Sequence, residues 1–169
     1  MGRLTIPQKR LGRREAGQLG ALIKRVREFR IFTDQRKLGE TKITNHLINY
    51  LKQHLINFEN RNIDTVRFVN ETFRPEGLLR GSSNKYPLCA IECKKLDDDN
   101  AKSRWKEGLS QALLYGQRYK AVLYILFDYT SGAKYESAFG RGNRPESRLA
   151  KQLRNEMNLY VIALKPTEL

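Results

Sequence analysis

An α/β fold, with a central mixed sheet flanked by helices, is what the sequence predicts, and three observations predict it. Apolar residues recur at helical spacing in three long segments, at about 15–29, 39–58 and 101–119. The run Ala-Val-Leu-Tyr-Ile-Leu-Phe-Asp at 121–128 is almost continuously apolar, which suits a strand covered on both faces. Between them, Leu78-Leu79 and Leu88-Cys89-Ala90-Ile91 flank Gly81-Ser82-Ser83-Asn84, the chemistry of a β-hairpin. At 169 residues and 40% hydrophobic content the chain can bury one core, so a single domain is expected over residues 15–169. A basic arm, residues 1–14, precedes it.

That arm carries Arg3, Lys9, Arg10, Arg13 and Arg14 and little to bury. Lys and Arg number 32 against 18 Asp and Glu, a formal charge of +14, which favours a polyanionic partner, nucleic acid first. No apolar run approaches the ~20 residues of a membrane span, so a cytoplasmic chain without a membrane partner is expected. The first helix places Leu19, Leu22, Ile23, Val26 and Phe29 on one side. The second, extended to Phe58, does the same with Ile43, Leu47, Ile48, Leu51, Leu55 and Ile56. Glu40 falls in its first turn, where the macrodipole alone favours a carboxylate. His46 and His54 are eight residues apart and about 80° out of phase, a poor pair of metal ligands.

One strand is expected over 64–73, from Val66, Phe68 and Val69, with Arg74 extended before Pro75. Asp97, Asp98 and Asp99 suit a loop and the cap of the helix at 101–119. On that helix Gln111 and Tyr115 are one turn apart, on a stripe with Arg104, Gly108 and Arg118, while Trp105, Leu109, Ala112, Leu113 and Gly116 form the expected packing face. The loop at 140–144 is glycine-rich and basic. Asn143 with Glu146 resembles a capping box opening a last helix to about residue 155, before a strand at 159–164. Cys89 and Cys93, four apart on one strand, would have Cα atoms ~13 Å apart and are expected to be reduced core residues.

The chemistry concentrates in the hairpin. If its loop is centred on Asn84, position 76 lies opposite position 92, and opposed side chains on one sheet face have Cβ atoms ~5 Å apart. Two carboxylates that close repel unless a cation or a shared proton lies between them, so Glu76 and Glu92 suggest a divalent metal. Lys94, two residues on, shares the face of Glu92, whereas Cys89, Ile91 and Cys93 point the other way. A Glu-x-Lys on a strand is more often a solvated salt bridge, and it is the surrounding pattern that favours a site.

Pro75-Glu76 followed by Glu92-x-Lys94 on a hairpin resembles the PD-(D/E)XK nuclease superfamily, over roughly residues 39–130. The resemblance implies a restriction-endonuclease-like αβββαβ core and a magnesium ion, replaceable by manganese, held by Glu76, Glu92 and the Cys93 carbonyl. Lys94 would handle the attacking water. The family usually has aspartate where this chain has Glu76, which leaves Glu71 or another acid as an alternative ligand. Glu40 matches the glutamate that the family often carries on the preceding helix. Gln111-Ala-Leu-Leu-Tyr115 resembles the Gln-x-x-x-Tyr signature of RecB-type and type I restriction nuclease domains. The expectation is therefore a metal-dependent phosphodiesterase, foremost a DNA endonuclease. A Holliday-junction resolvase or exonuclease with the same site is one alternative, and a DNA-binding module with a decayed site another. DNA is the expected partner, RNA a second, and a homodimer is compatible with the family. Lys9, Arg10, Arg13, Arg14, Arg104, Arg118, Arg141 and Arg144 would hold the nucleic-acid backbone.

Overall fold

The computed structural model describes residues 10–60, 65–81, 87–140 and 142–168. The hairpin turn at 82–86, Lys9 and Arg141 lie outside the described residues. Helix α1 spans Arg13–Glu28 and α2 Glu40–His54, joined through a 3-10 turn at Thr33–Lys37. Strands β1 (Phe58–Asn60), β2 (Val66–Phe68), β3 (Glu71–Phe73), β4 (Gly77–Arg80) and β5 (Pro87–Leu96) follow, then α3 (Ala101–Arg118), β6 (Ala121–Asp128), α4 (Lys134–Gly140), α5 (Pro145–Met157) and β7 (Leu159–Leu164). The main sheet has five strands in the order β1-β4-β5-β6-β7. It is mixed: β1, β4 and β5 pair antiparallel, while β5, β6 and β7 pair parallel.

Strand alternation divides the core. On β6, Ala121, Leu123, Ile125 and Phe127 pack with Leu19, Leu22 and Val26 of α1 and Ile43, Leu47 and Leu51 of α2. Val122, Tyr124 and Leu126 face the other way, onto Ala112 and Tyr115 of α3 and Leu153 of α5. Every residue of β6 is buried, as its apolar run predicts. Burial of each large aliphatic or aromatic side chain contributes ~1.5–3 kcal/mol, so this strand is the main anchor of both layers.

Four expectations are corrected. The second helix stops at His54 rather than Phe58: Leu55 is extended, Asn57 takes φ 65°, and Phe58 begins an edge strand. Ile56, counted on the helix's apolar side, is 86% exposed. The single strand expected at 64–73 is a separate hairpin of β2 and β3, broken where Val69 adopts φ 56°. The third antiparallel strand beside β4 and β5 is therefore β1. The last helix is not opened by an Asn143 capping box; Arg144 is its N-cap, with no side-chain cap bond, and Pro145 its first residue, where a missing N–H costs nothing. Finally, Arg13 and Arg14 belong to α1 and not to an arm ending at residue 14.

Helix α4 had no counterpart in the expectations. Its first turn is held by Asp128, whose Oδ2 accepts from the backbone N–H groups of Tyr135 and Glu136, both at 2.8 Å. Among the described residues no helix is long and apolar enough to cross a membrane.

Candidate active site

The β4–β5 register follows the hairpin argument as far as Gly77, one residue short of the expected Glu76–Glu92 pair. Gly77 pairs with Ile91, Leu78 with Ala90 and Leu79 with Cys89, the spacing set by a centre at residue 84, with an irregularity only at Arg80. Glu76 lies one residue outside this ladder, its N–H donating to the Ile91 carbonyl at 2.8 Å. It is beside Glu92, not registered with it. Glu76, Glu92, Lys94, Gln111 and Tyr115 line one open cleft of about 240 Å³, together with Thr72, Phe73 and Arg74. Cys89, Ile91 and Cys93 belong to the core on the opposite face, and both thiols are free and buried.

Lys94 Nζ donates to Glu92 Oε1 at 2.7 Å, and both side chains are buried, Glu92 with 2% of its surface exposed. Glu40 Oε1 lies 4.0 Å and Glu107 Oε1 3.8 Å from the same ammonium. Burial pulls the Lys94 pKa down, but the Glu92, Glu40 and Glu107 carboxylates outweigh it, so the net direction is up. For Glu92 burial dominates: even against the pull of Lys94, and with Glu76 and Glu40 adding repulsion, its pKa is pushed up to about 7. The Tyr115 hydroxyl hydrogen-bonds to Glu92, and its own pKa is raised by burial first and by that carboxylate second.

The approach of α3 to the sheet explains how Lys94 is held. A Cβ on Gly108 would fall 2.5 Å from Lys94 Cγ and 2.5 Å from the Tyr124 hydroxyl, so only glycine lets the helix lie over the lysine stem. Tyr124 donates to the Trp105 carbonyl at 2.7 Å, fixing the strand to the helix at the same level. This corrects the assignment of faces on α3. Gly108, Ala112 and Tyr115 are buried against the sheet, while Trp105, Leu109 and Leu113 are half-buried. The packing face and the site-facing face are one.

Glu40 is brought to the site, but as part of a network. Its Oε2 accepts from the Lys95 N–H at 2.7 Å and from Arg104 Nη2 at 2.6 Å. Arg104 also donates to Glu107 Oε2 at 2.8 Å. Its guanidinium is thus paired with two carboxylates of the protein. Arg118 donates to the Thr65 carbonyl at 3.0 Å, at the root of the β2–β3 hairpin. Arg10 and Arg144 are exposed. Arg13 and Arg14 open α1 near Lys120, which pairs with Glu15 at 2.7 Å at the end of the sheet where β6 begins. None of these arginines is among the residues that line the cleft. Four cleft-region residues were missing from the expected set: Thr72, Phe73 and Arg74, which line it, and Glu107. Arg74 had a sequence signal, being basic and next to Pro75-Glu76; Glu107 had only its place one turn from Arg104.

The cleft's donors fit a hard divalent cation. The candidate ligands are oxygens: the Glu76 and Glu92 carboxylates, which line the cleft, and the Cys93 carbonyl that the family resemblance implies. Strand alternation turns the Cys93 carbonyl to the same edge of β5 as that of Ile91, the edge facing β4. Gln111 Oε1 is buried with no hydrogen-bond partner among the described residues. No group of three His, Cys, Asp or Glu side chains has metal-binding geometry among the described residues. Magnesium commonly takes one or two carboxylates and completes its shell with water and substrate phosphate, so two acids meet its requirement. Comparison of the chain with protein-family models, with curated proteins and with solved structures returns no match.

Proposed function

We propose that the protein is a magnesium-dependent nucleic-acid phosphodiesterase, acting as a DNA endonuclease, on a restriction-endonuclease-like core. The order α2, β1, β4, β5, α3, β6 supplies αβββαβ, with β2 and β3 inserted between its first two strands. The observation that carries the reading is the convergence of Glu76, Glu92 and Lys94 with Gln111 and Tyr115 on one cleft. These residues come from the bend before β4, from β5 and from α3, and are 35 to 39 positions apart at the extremes of Glu76 to Gln111 and Tyr115.

Glu76, Glu92 and the Cys93 carbonyl would hold the ion, and Gln111 lines the same cleft. When bound, magnesium supplies charge neutralisation for the phosphodiester and acidifies water for attack. Glu92 must then be ionised, and the charge of the cation would favour that form against the burial that disfavours it in the metal-free cleft. Tyr115, donating to one Glu92 oxygen, fixes the orientation of the carboxylate. Lys94 orients the attacking water and offers its ammonium to the oxygen on which charge develops. Glu40 and Glu107 keep that ammonium protonated and the Gly108 contact limits its travel. Arg74 on the rim is placed to meet the phosphate chain.

The test is incubation of the purified protein with supercoiled, linear and branched DNA, with Mg²⁺, with Mn²⁺ and with chelator. Metal-dependent nicking of closed circles is expected. Cutting restricted to ends or to branched junctions would replace endonuclease by exonuclease or resolvase. Salt-dependent binding without cleavage under any metal would leave only a DNA-binding module.

A further inference from the structure

The β2–β3 hairpin carries features that the phosphodiesterase chemistry leaves unused. Its pairs are Val66 with Phe73, Arg67 with Thr72 and Phe68 with Glu71, leaving Val69 and Asn70 as a two-residue turn. The root is anchored: Val66 and Phe73 pack against the core cluster that contains Tyr115. The tip is not. Phe68 is 57% and Val69 83% exposed, two large apolar side chains side by side in a strongly basic chain. Phe68 shares a hairpin face with Val66 and Phe73 and carries that face out beyond the last packed contact.

The turn itself is strained in a way that displays Val69. Its φ is 56°, while Asn70 is not in the left-handed region. A two-residue turn with positive φ at its first position alone has the pattern of a type II′ hairpin, and that position favours glycine. A β-branched residue there is a true outlier. Strain of this kind persists where the exposed side chain is used. Thr72, Phe73 and Arg74, the continuation of the same hairpin, line the acid cleft.

We propose that the Phe68–Val69 tip is a wedge that enters a nucleic-acid duplex and unstacks one base step beside the cleavage site. This rests on the phosphodiesterase reading and adds how the substrate is distorted. Apolar side chains inserted between base steps unstack and kink duplexes, and an aromatic ring accepts any base face. Two residues are far too small a patch for a stable protein interface, which needs ~800 Å² from each partner. Arg67 beside the tip and Arg74 at the root flank it with the charge that phosphates require. Val69 to Glu76 is seven residues, at most ~24 Å of extended chain, so the unstacked step falls within about seven nucleotides of the cut, at ~3.4 Å per step.

The experiment places 2-aminopurine at successive positions of duplex substrates and follows its fluorescence on binding in chelator, with binding and Mg²⁺-dependent cleavage measured on the same duplexes. Wild type should brighten the probe at one position, within about seven nucleotides of the cut. Phe68→Ala should abolish that signal and weaken binding several-fold, with the salt dependence of binding unchanged because no phosphate contact is lost. Val69→Gly relieves the turn and should reduce the signal while leaving a folded protein, which guards against misfolding as the cause. Binding and cleavage with no brightened position would overturn the wedge and leave the nuclease reading intact. Absence of salt-dependent binding would remove the nuclease reading and the wedge with it. A shift from dimer to monomer in Phe68→Ala would assign the tip to contact between two copies and overturn the proposal.

Discussion

Two carboxylates are buried in this protein to nearly the same depth, and they are treated in opposite ways. Asp128 is fully buried at the end of β6 and Glu92 is 2% exposed in the middle of β5. Asp128 accepts four hydrogen bonds, from the N–H and hydroxyl of Thr130 at 3.1 and 2.6 Å and from the N–H groups of Tyr135 and Glu136 at 2.8 Å. Its donors are fixed, mostly backbone, and they tie β6 to the first turn of α4. Glu92 has Lys94 and Tyr115, and beside them the like charges of Glu76 and Glu40. Burial alone does not distinguish a working acid from a structural one. The balance of donors against charges does: one carboxylate is saturated, the other keeps room for a cation.

The comparison is broken most forcefully at β5. Glu92→Gln should lower single-turnover cleavage by ~10²–10³-fold or more, the scale of losing a charge-stabilising group, while weakening Mg²⁺ binding measured by calorimetry. Lys94→Ala should match that loss of cleavage and leave Mg²⁺ affinity equal or higher. The two differ in stability as well: Lys94→Ala strands a buried carboxylate and should cost the metal-free protein ~3 kcal/mol, whereas Glu92→Gln relieves repulsion and should cost little. Unchanged metal affinity in Glu92→Gln would move the ion to another acid.

At Asp128 the expectation reverses. Asp128→Ala orphans the buried donors of the α4 turn and should cost ~3 kcal/mol or more in denaturant unfolding, while the folded fraction keeps its turnover within a few-fold. A large turnover defect at full stability would make Asp128 part of the site.

A smaller effect sharpens the contrast through pH. The Glu92 pKa is raised from 4.5 to about 7 on folding, so the folded state binds more protons between those values. Stability from this group is full below pH ~4.5 and is lost as pH rises through ~7, by of order 3 kcal/mol at most. The lowered pKa values of Glu15 and Asp98 act with opposite sign, but below pH ~4.5, outside that window. Thermal unfolding of metal-free wild type should show the decline between pH 5 and 8, and Glu92→Gln should not. Saturating Mg²⁺ should flatten or reverse it. A wild-type profile that stays flat without metal would mean that Lys94 keeps Glu92 ionised in the folded protein.

What was legible in the sequence is what local pattern controls. The β4–β5 register follows from turn chemistry, β6 from an unbroken apolar run, and Lys94 beside Glu92 from a period of two. What escaped depends on backbone states that side-chain pattern does not encode. Leu55 and Ile56 continue the helical period of α2, yet Asn57 in the left-handed region ends it and starts β1. Val69 looks like strand and is a turn. Arg104 illustrates a second limit: its charge was visible, but its partner Glu40 is 64 positions away. Sequence spacing shows which charges share a helix face; it does not show which ones another element will neutralise.

The change of pairing sense at β5, antiparallel to β4 and parallel to β6, bears on the order in which the site is assembled. The β4–β5 hairpin closes a short loop, whereas β6 can join only after α3 has crossed over, and short-range closure costs less entropy. On a chain emerging from the ribosome, Glu76 and Glu92 are complete before α3 exists. They first meet in water, where like charges ~5 Å apart repel by less than ~1 kcal/mol. Only the arrival of α3, with Gly108 passing over Lys94, removes the solvent and raises that cost. The electrostatic tension of the site is thus expected to appear in the last packing step rather than the first, so that the hairpin can form early without a metal to hold it.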